Sequence, residues 1–138
     1  MSKGMIRIAK IPFSRVLQHI GKPRKRFWID GKKYILRLSG ERMNLLGRTQ
    51  VCACCGLKGK YFWLEYSGCK PPHLNLYAVT KKGKEILMTM DHWLARSKGG
   101  ITEQNNLVLL CTICNGIKKN ETITLEDLRK KVEQKHIN

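Results

Sequence analysis

The stretch of sequence that decides the fold runs from Leu87 to Lys118 and reads LMTMDHWLARSKGGITEQNNLVLLCTICNGIK. Asp91 and His92 end its first apolar run, and Asn106 opens the second. A Cys-x-x-Cys follows the second run and is followed at once by Asn115. Each feature is common by itself, but their order along one short stretch predicts that they serve a single chemical site.

Six cysteines are present, and four of them form two Cys-x-x-Cys pairs. Three disulfides would be the interpretation for a secreted protein. The spacing within the pairs instead favours a structural Zn²⁺ held by four thiolates. Cys54 lies inside the first pair and could replace either neighbour, which leaves two registers open. The predicted zinc ligands are Cys52, Cys55, Cys111 and Cys114.

The charge balance indicates the class of partner. Lys and Arg number 27 against 10 Asp and Glu, giving a formal net charge of +17. Such an excess favours a polyanion, DNA or RNA, bound through its phosphates. A membrane surface would also attract this charge, but no apolar run has the length of a spanning helix. Met1–Gly4 does not open a secretory signal, so we expect a soluble, cytoplasmic protein without a membrane partner.

The front of the chain predicts a basic helix and hairpin without a chemical motif. Val16, Leu17 and Ile20 have helical spacing, and extended segments at 26–30 and 33–38 flank Asp30-Gly31, a two-residue hairpin signal. Two interpretations stay open for this region. It is either a small solvated extension or an arm that grips DNA phosphates.

The decisive stretch predicts two strands and a helix. Residues 85–91 and 106–110 read as paired strands, and a helix is expected to start near Asn115. Thr124 with Asp127 resembles a capping box and predicts a final amphipathic helix through about Lys135. The fold class is therefore α+β, a small ββα unit joined by a basic N-terminal hairpin and helix and a C-terminal helix.

The ordered set of Asp91-His92, Asn106 and Asn115, framed by cysteine pairs, resembles the HNH endonuclease family. That resemblance implies a β-hairpin and one helix around a single metal ion. It also implies His92 as the general base, Asp91 and Asn115 as metal ligands, and Asn106 as the residue that ties the loop and orients the histidine. The cysteine pairs resemble those of the zinc-containing ββα-metal branch, where four thiolates staple the unit.

The resemblance further implies what the protein does. We expect a metal-dependent endonuclease that hydrolyses phosphodiester bonds of double-stranded DNA, by nicking or by cutting both strands, with catalytic Mg²⁺ or Mn²⁺ and structural Zn²⁺. Small free-standing enzymes of this kind resemble phage-borne or mobile-element nucleases, which act inside the host cell. On this basis residues 1–48 form the basic extension, with the DNA-binding arm as one interpretation, and 49–138 the nuclease domain.

The chemistry agrees with these residue types. An imidazole has a reference pKa near about 6.5 and can take a proton from water at neutral pH. A hard divalent ion with oxygen ligands stabilises charge that develops on a phosphate. Three cations near the motif are predicted to contact nucleic acid: Arg96 and Lys98 in a glycine-containing loop, and Lys118 one helical turn after Asn115.

Two other function classes compete with the nuclease. A non-catalytic zinc module that binds DNA or RNA by charge alone explains the cysteines and the basic residues, but it gives no reason for Asp91, His92 and Asn115. A redox protein using Cys-x-x-Cys would need an exposed reactive thiol and a thioredoxin-like βαβ pattern. The sequence does not show that pattern.

Overall fold

The structure is a computed structural model that describes residues 5–135. Met1–Gly4 and residues 136–138 lie outside the described residues. They include the first residue of the predicted extension and the last residue of the predicted nuclease domain. The strands are β1 Met5–Pro12, β2 Lys25–Ile29, β3 Lys32–Leu36, β4 Gly59–Ser67, β5 His73–Val79, β6 Glu85–His92 and β7 Leu107–Cys111. The helices are α1 Phe13–Leu17, α2 Glu41–Arg48, α3 Thr112–Lys118 and α4 Leu125–Lys135. The mixed α+β class is confirmed.

Five strands form one antiparallel sheet in the order β1-β4-β5-β6-β7, and β2 pairs with β3 in a separate two-stranded sheet. In the β6–β7 pair, Asp91 lies opposite Val108 and His92 opposite Leu107. The chain then enters α3 directly, and α3 packs on both strands. The predicted ββα unit is therefore present, although α3 begins at Thr112, slightly before the expected start near Asn115.

Alternation along the strands separates a buried face from a polar one. Phe62 and Leu64 of β4 and Leu74 and Leu76 of β5 are buried in a continuous apolar core. The opposite face carries Tyr61, Trp63, Asn75 and Tyr77, which are partly buried and hydrogen-bonded to carboxylates. The first Cys-x-x-Cys and the start of α3 pack on the core side, so the same apolar interior supports the cysteine region and the HNH-like stretch.

Strand β1 was not predicted from the sequence, because Arg7 and Lys10 interrupt its short apolar pattern. It nevertheless pairs with β4 along its length. Arg7 donates to Glu65 at 2.9 Å and to Glu85 at 2.7 Å, and Glu65 is fully buried. Residues 5–12 of the predicted extension therefore share the central sheet with the rest of the chain.

The Arg7 ion pairs shape the electrostatics of this polar face. Burial alone would raise the pKa of Glu85, but hydrogen bonds from Tyr61, Trp63 and Arg7 outweigh it and lower that pKa to about 2. Burial opposes the charge of Arg7 as well, yet the contacts with Glu85 and Glu65 raise its pKa. Both groups are therefore charged over the whole neutral range, and each depends on the other.

We expect Arg7→Met to destabilise the protein by about 3 kcal/mol, because it leaves the buried Glu65 without its cation. The double variant Arg7→Met/Glu65→Gln should recover most of that loss, since a neutral amide needs no counter-charge. Urea unfolding at neutral pH measures both. Equal stabilities of the single and double variants would contradict the ion-pair account.

The other predicted elements are also present. Asp30 and Gly31 both have positive φ, +50° and +79°, as the tight hairpin turn between β2 and β3 requires. Thr124 Oγ1 accepts a hydrogen bond from the backbone N–H of Asp127 and begins α4 as its predicted cap. Across residues 5–135, no helix combines the length and apolar character needed to cross a membrane.

Candidate active site and four-cysteine metal centre

Strand β6 and helix α3 bring the candidate residues together. Thr89 and Asp91 lie two positions apart on β6, so both side chains are on one face of the strand. That face meets α3, since Asn115 contacts Thr89 and Lys118 contacts Asp91. His92 projects to the other side, as the alternation of a strand requires. The site is thus built where the end of strand β6 packs against the short helix α3.

Asp91 is paired with a buried lysine. Its Oδ2 lies 3.0 Å from Lys118 Nζ, and the Lys118 side chain is fully buried while that of Asp91 is 20% exposed. The Lys118 ammonium also lies 5.3 Å from the centroid of the Trp93 ring. Neither charged atom has an aligned hydrogen-bond partner within residues 5–135, so charge attraction holds the pair. The exposed part of the carboxylate remains accessible from solvent.

The burial of Lys118 corrects one sequence-based expectation. Lys118 was predicted to face a phosphate from the surface of α3. Instead α3 is buried against β6, and Lys118 points inward to Asp91. Helical spacing placed Lys118 on the same face as Asn115, but the sequence did not show that this face is covered.

Asn115 is oriented through a threonine. The Thr89 hydroxyl donates to the backbone carbonyl of Leu110 at 2.8 Å, so its oxygen is available as an acceptor. Asn115 Nδ2 donates to that oxygen at 3.0 Å. This arrangement fixes the amide with its nitrogen toward β6 and leaves Asn115 Oδ1 without a hydrogen-bond partner in the described part of the chain. A carbonyl oxygen of this kind is a suitable ligand for a hard cation.

His92 is accessible and holds one specific contact. Its Nε2 lies 2.7 Å from Thr102 Oγ1, a hydroxyl of the loop that follows β6. The sequence analysis did not single out Thr102 or Thr89, because each is an ordinary residue without a motif. Thr89 lies two residues before Asp91 on β6, and Thr102 lies within hydrogen-bonding distance of His92. Only the folded strand and loop show these two relations.

Asn106 holds the loop between β6 and β7. Its Oδ1 accepts from the Leu94 N–H at 2.8 Å, and its Nδ2 donates to the carbonyls of Leu94 and Ile101 at 3.1 and 2.8 Å. Its own carbonyl accepts from the Trp93 N–H at 2.7 Å. These contacts fix the backbone immediately after His92. They are the kind of contacts expected of a residue that orients the histidine.

The glycine-containing part of this loop is closely packed. A Cβ added to Gly100 would collide with the carbonyl oxygen of Leu94, and the Gly100 N–H donates to Ala95 at 3.0 Å. Arg96 and Lys98 are exposed in the short 3-10 turn before it. Gly100 is therefore required for loop closure, while the two cations face solvent where they can reach a phosphate.

The four predicted cysteines form one cluster. The sulfur atoms of Cys52, Cys55, Cys111 and Cys114 all lie within 4.8 Å of one another. Tetrahedral Zn–S bonds of about 2.3 Å imply sulfur separations near about 3.8 Å, and Cys55 and Cys111 are 3.8 Å apart. Cys54 is outside this group, and all six cysteines are free of disulfides. The geometry fits a closed four-thiolate metal site.

Backbone contacts support the cluster. The N–H groups of Cys55 and Cys114 each point at the sulfur of the first cysteine in their pair, at 3.5 Å. Gly56 has φ +80°, which allows the turn after Cys55. Arg129 of α4 donates to the carbonyls of Ala53 and Cys54 at 2.9 and 3.1 Å. Arg129 thus connects the C-terminal helix to the cysteine loop.

The thiols influence one another's ionisation strongly. Hydrogen bonds from Cys111 and Cys114 lower the pKa of Cys52. The contacts of Cys114 with Cys111 and Cys52, together with burial, raise the pKa of Cys114. Thiols this close resist ionising together because their negative charges repel. A divalent cation among the sulfurs would compensate those charges and allow all four to act as thiolates.

Comparison with known families agrees with this arrangement. The family model described as HNH endonuclease matches residues 80–121, which contain β6, β7 and α3. Residues 80–121 are therefore similar to the HNH endonuclease family. A search of curated proteins found no match. A search of solved structures found none either.

An HNH endonuclease domain implies nuclease activity on nucleic acid, and nucleases of this family use a divalent metal. The match covers a little under a third of the chain, so the strands β1 to β5 and the helix α4 lie outside it. The four-cysteine cluster combines a pair inside the HNH match with a pair before it, at Cys52 and Cys55.

Proposed function

We propose that the protein is an HNH endonuclease that hydrolyses phosphodiester bonds of double-stranded DNA, by nicking or by cutting both strands. The observation that carries this proposal is the meeting of β6 and α3, where Asp91, His92 and Asn115 lie at the end of one strand and the first turns of one helix. The net charge of +17 supports a polyanionic substrate. We also propose that it acts in the cytoplasm and that it is an enzyme of the phage or mobile-element type.

His92 acts as the general base in this proposal. Its imidazole takes a proton from water, and the resulting hydroxide attacks the phosphorus. Thr102 holds Nε2 at 2.7 Å and so fixes the ring, while Asn106 fixes the backbone that follows. Asn106 thereby serves as a positioning residue and does not touch the substrate.

Asp91 and Asn115 would hold the catalytic metal, Mg²⁺ or Mn²⁺. The partly exposed carboxylate of Asp91 and the unpartnered Oδ1 of Asn115 are oxygen ligands of the type these ions prefer. A bound divalent ion supplies charge that stabilises the pentacovalent phosphate and the departing oxygen. Lys118 holds one oxygen of Asp91 from within the fold and so directs the carboxylate.

The four-cysteine cluster would hold Zn²⁺ in a purely structural role. Four thiolates are the complete ligand set of a structural Zn²⁺ site, so an ion held by these cysteines would have no open position for substrate or water. Arg96 and Lys98 would contact the phosphates that flank the cleaved bond. In this view residues 49–138 form the zinc-stapled nuclease domain, and the arm that grips DNA lies in residues 1–48.

A plasmid assay tests the proposed function. Purified protein with Mg²⁺ should convert supercoiled plasmid to nicked or linear forms, and omission of the divalent ion should stop this. His92→Ala serves as the control against a contaminating nuclease, because the same preparation route should then give no cleavage. Wild-type protein that binds DNA but never cuts it under Mg²⁺ or Mn²⁺ would instead support the non-catalytic zinc module.

Thr89→Val should lower the affinity for the catalytic metal without unfolding the protein. The variant keeps the shape of the side chain but removes the oxygen that orients the Asn115 amide. Loss of a group that orients a metal ligand typically weakens metal affinity about 10–100-fold. The metal concentration giving half-maximal cleavage should rise accordingly, while Thr89→Ser, which retains the hydroxyl, should behave as wild type. An unchanged metal titration for Thr89→Val would contradict this positioning role.

A further inference from the structure

The hairpin of β2 and β3 stands outside the five-stranded sheet and outside the HNH match. We name residues 25–36 the basic ribbon. Its two faces differ sharply. Phe27 and Leu36 are buried against the protein core. The other face is exposed to solvent and consists of two cross-strand pairs, Arg26 with Ile35 and Trp28 with Lys33.

The exposed face of the basic ribbon carries two large apolar side chains. Trp28 is 62% exposed and Ile35 is 44% exposed. They occupy diagonal positions of the two adjacent pairs, so long side chains there are within reach of each other. The remaining two corners are the cations Arg26 and Lys33. A tryptophan and an isoleucine placed together in solvent, between two cations, mark an interaction surface.

The charge of the region selects the partner. Between residues 21 and 38 the only acidic residue is Asp30, against seven cations. None of the seven forms an ion pair with a carboxylate within residues 5–135. Several of them line a hollow of about 400 Å³ beside the ribbon, formed by Lys22, Arg24, Lys25, Arg26 and Ile35. An unneutralised cationic surface of this density is complementary to a phosphate backbone.

We propose that the basic ribbon docks into the major groove of duplex DNA. The major groove is about 12 Å wide and admits a two-stranded β-ribbon, and two paired strands lie about 4.8 Å apart before their side chains are added. Trp28 and Ile35 enter the groove and contact apolar groups such as thymine methyls. Arg26 and Lys33 bind phosphates along its edges. The proposal rests on the proposed function in that the substrate is duplex DNA.

The same geometry disfavours other nucleic acids and other partners. The major groove of duplex RNA is deep and narrow and does not accept such an element. A protein partner or a second copy of this chain would have to cover seven cations with carboxylates, and the chain itself has only ten acidic residues in total. Duplex DNA satisfies both the cations and the exposed apolar pair.

The first experiment measures binding of the full chain to a labelled DNA duplex without added divalent metal, over a range of salt concentrations. Arg26→Gln/Lys33→Gln removes two phosphate contacts and should weaken binding at least about tenfold and reduce the salt slope by about 2. The matched control is Lys81→Gln/Lys82→Gln, which removes the same charge from an exposed turn. It should weaken binding less than about threefold. Equal losses in the two variants would overturn the proposal, since net charge alone would then explain binding.

The second experiment tests the apolar pair. Trp28→Ala should weaken binding to duplex DNA about tenfold with an unchanged salt slope, because no charge is lost. Ile6→Ala is the control, since Ile6 is 49% exposed and belongs to β1 of the five-stranded sheet, not to the ribbon. A Trp28→Ala variant that binds DNA normally but changes the self-association of the protein would overturn the proposal. So would an equal loss of affinity for duplex RNA.

Binding and cleavage are measured separately. If the wild-type protein fails to cut plasmid DNA, the proposed function is contradicted, and the binding comparison still decides the role of the ribbon. If the ribbon variants bind DNA as tightly as the wild type, the ribbon proposal is contradicted. Plasmid cutting by the wild type would still support the nuclease function.

Discussion

Cys111→Ser should lose bound zinc and cooperative unfolding together. The sulfur of Cys111 lies at the end of β7, 3.8 Å from Cys55, and also accepts the N–H of Cys114. Structural zinc sites contribute on the order of 10 kcal/mol to folding in small peptides, comparable with the whole stability of a typical domain, about 5–15 kcal/mol. The remaining core should therefore be unable to hold the site closed.

The measurement combines metal analysis of the purified protein with thermal unfolding followed by circular dichroism. Cys69→Ser is the matched control, because Cys69 is exposed and outside the cluster. Cys54→Ser is a second control and separates the two registers left open by the sequence. Active, folded wild-type protein without zinc would contradict the structural role, as would a cooperative transition in Cys111→Ser equal to that of the wild type.

The sequence predicted most of the HNH unit because its signals are local. Strand β7 is a continuous apolar run, the apolar run of β6 is interrupted only by Thr89, and the second Cys-x-x-Cys marks where the chain passes from β7 into a helix. Strand β1 could not be predicted in the same way, since its partner β4 begins about fifty residues later. The charge of Arg7 suggests a solvated N-terminal segment, because the sequence does not show that Glu65 lies beside it.

The site was predictable in its chemistry and not in its packing. Residue types and order identified Asp91, His92 and Asn115 as candidates, and spacing identified the cysteines that cluster. The burial of Lys118 depends on α3 lying against β6, and the role of Thr89 depends on which face of that strand meets the helix. Such facts arise from tertiary contacts, which no short motif records.

His92→Ala should abolish most cleavage and leave metal binding nearly intact. As the base, His92 contacts water rather than the ion, and removal of a general base typically costs about 10²–10⁴-fold in rate. Thr102→Val is the matched control, because it removes the partner of Nε2 while keeping the imidazole. Its loss should be far smaller. Single-turnover cleavage of a defined duplex measures all three proteins.

The metal ligands should respond differently, and a metal titration separates the roles. Asn115→Ala removes one oxygen ligand, so excess Mn²⁺ should restore part of its activity. At Asp91 the informative change is Asp91→Asn, because Asp91→Ala would leave the buried ammonium of Lys118 unpaired and would unfold the site for an unrelated reason. Asn retains one oxygen ligand at lower charge and should also be partly rescued. No metal concentration should restore His92→Ala, since the missing step is proton transfer. Rescue of His92→Ala to the same extent as the other two would make His92 a ligand, and the general base would then have to be sought elsewhere in the loop that Asn106 holds.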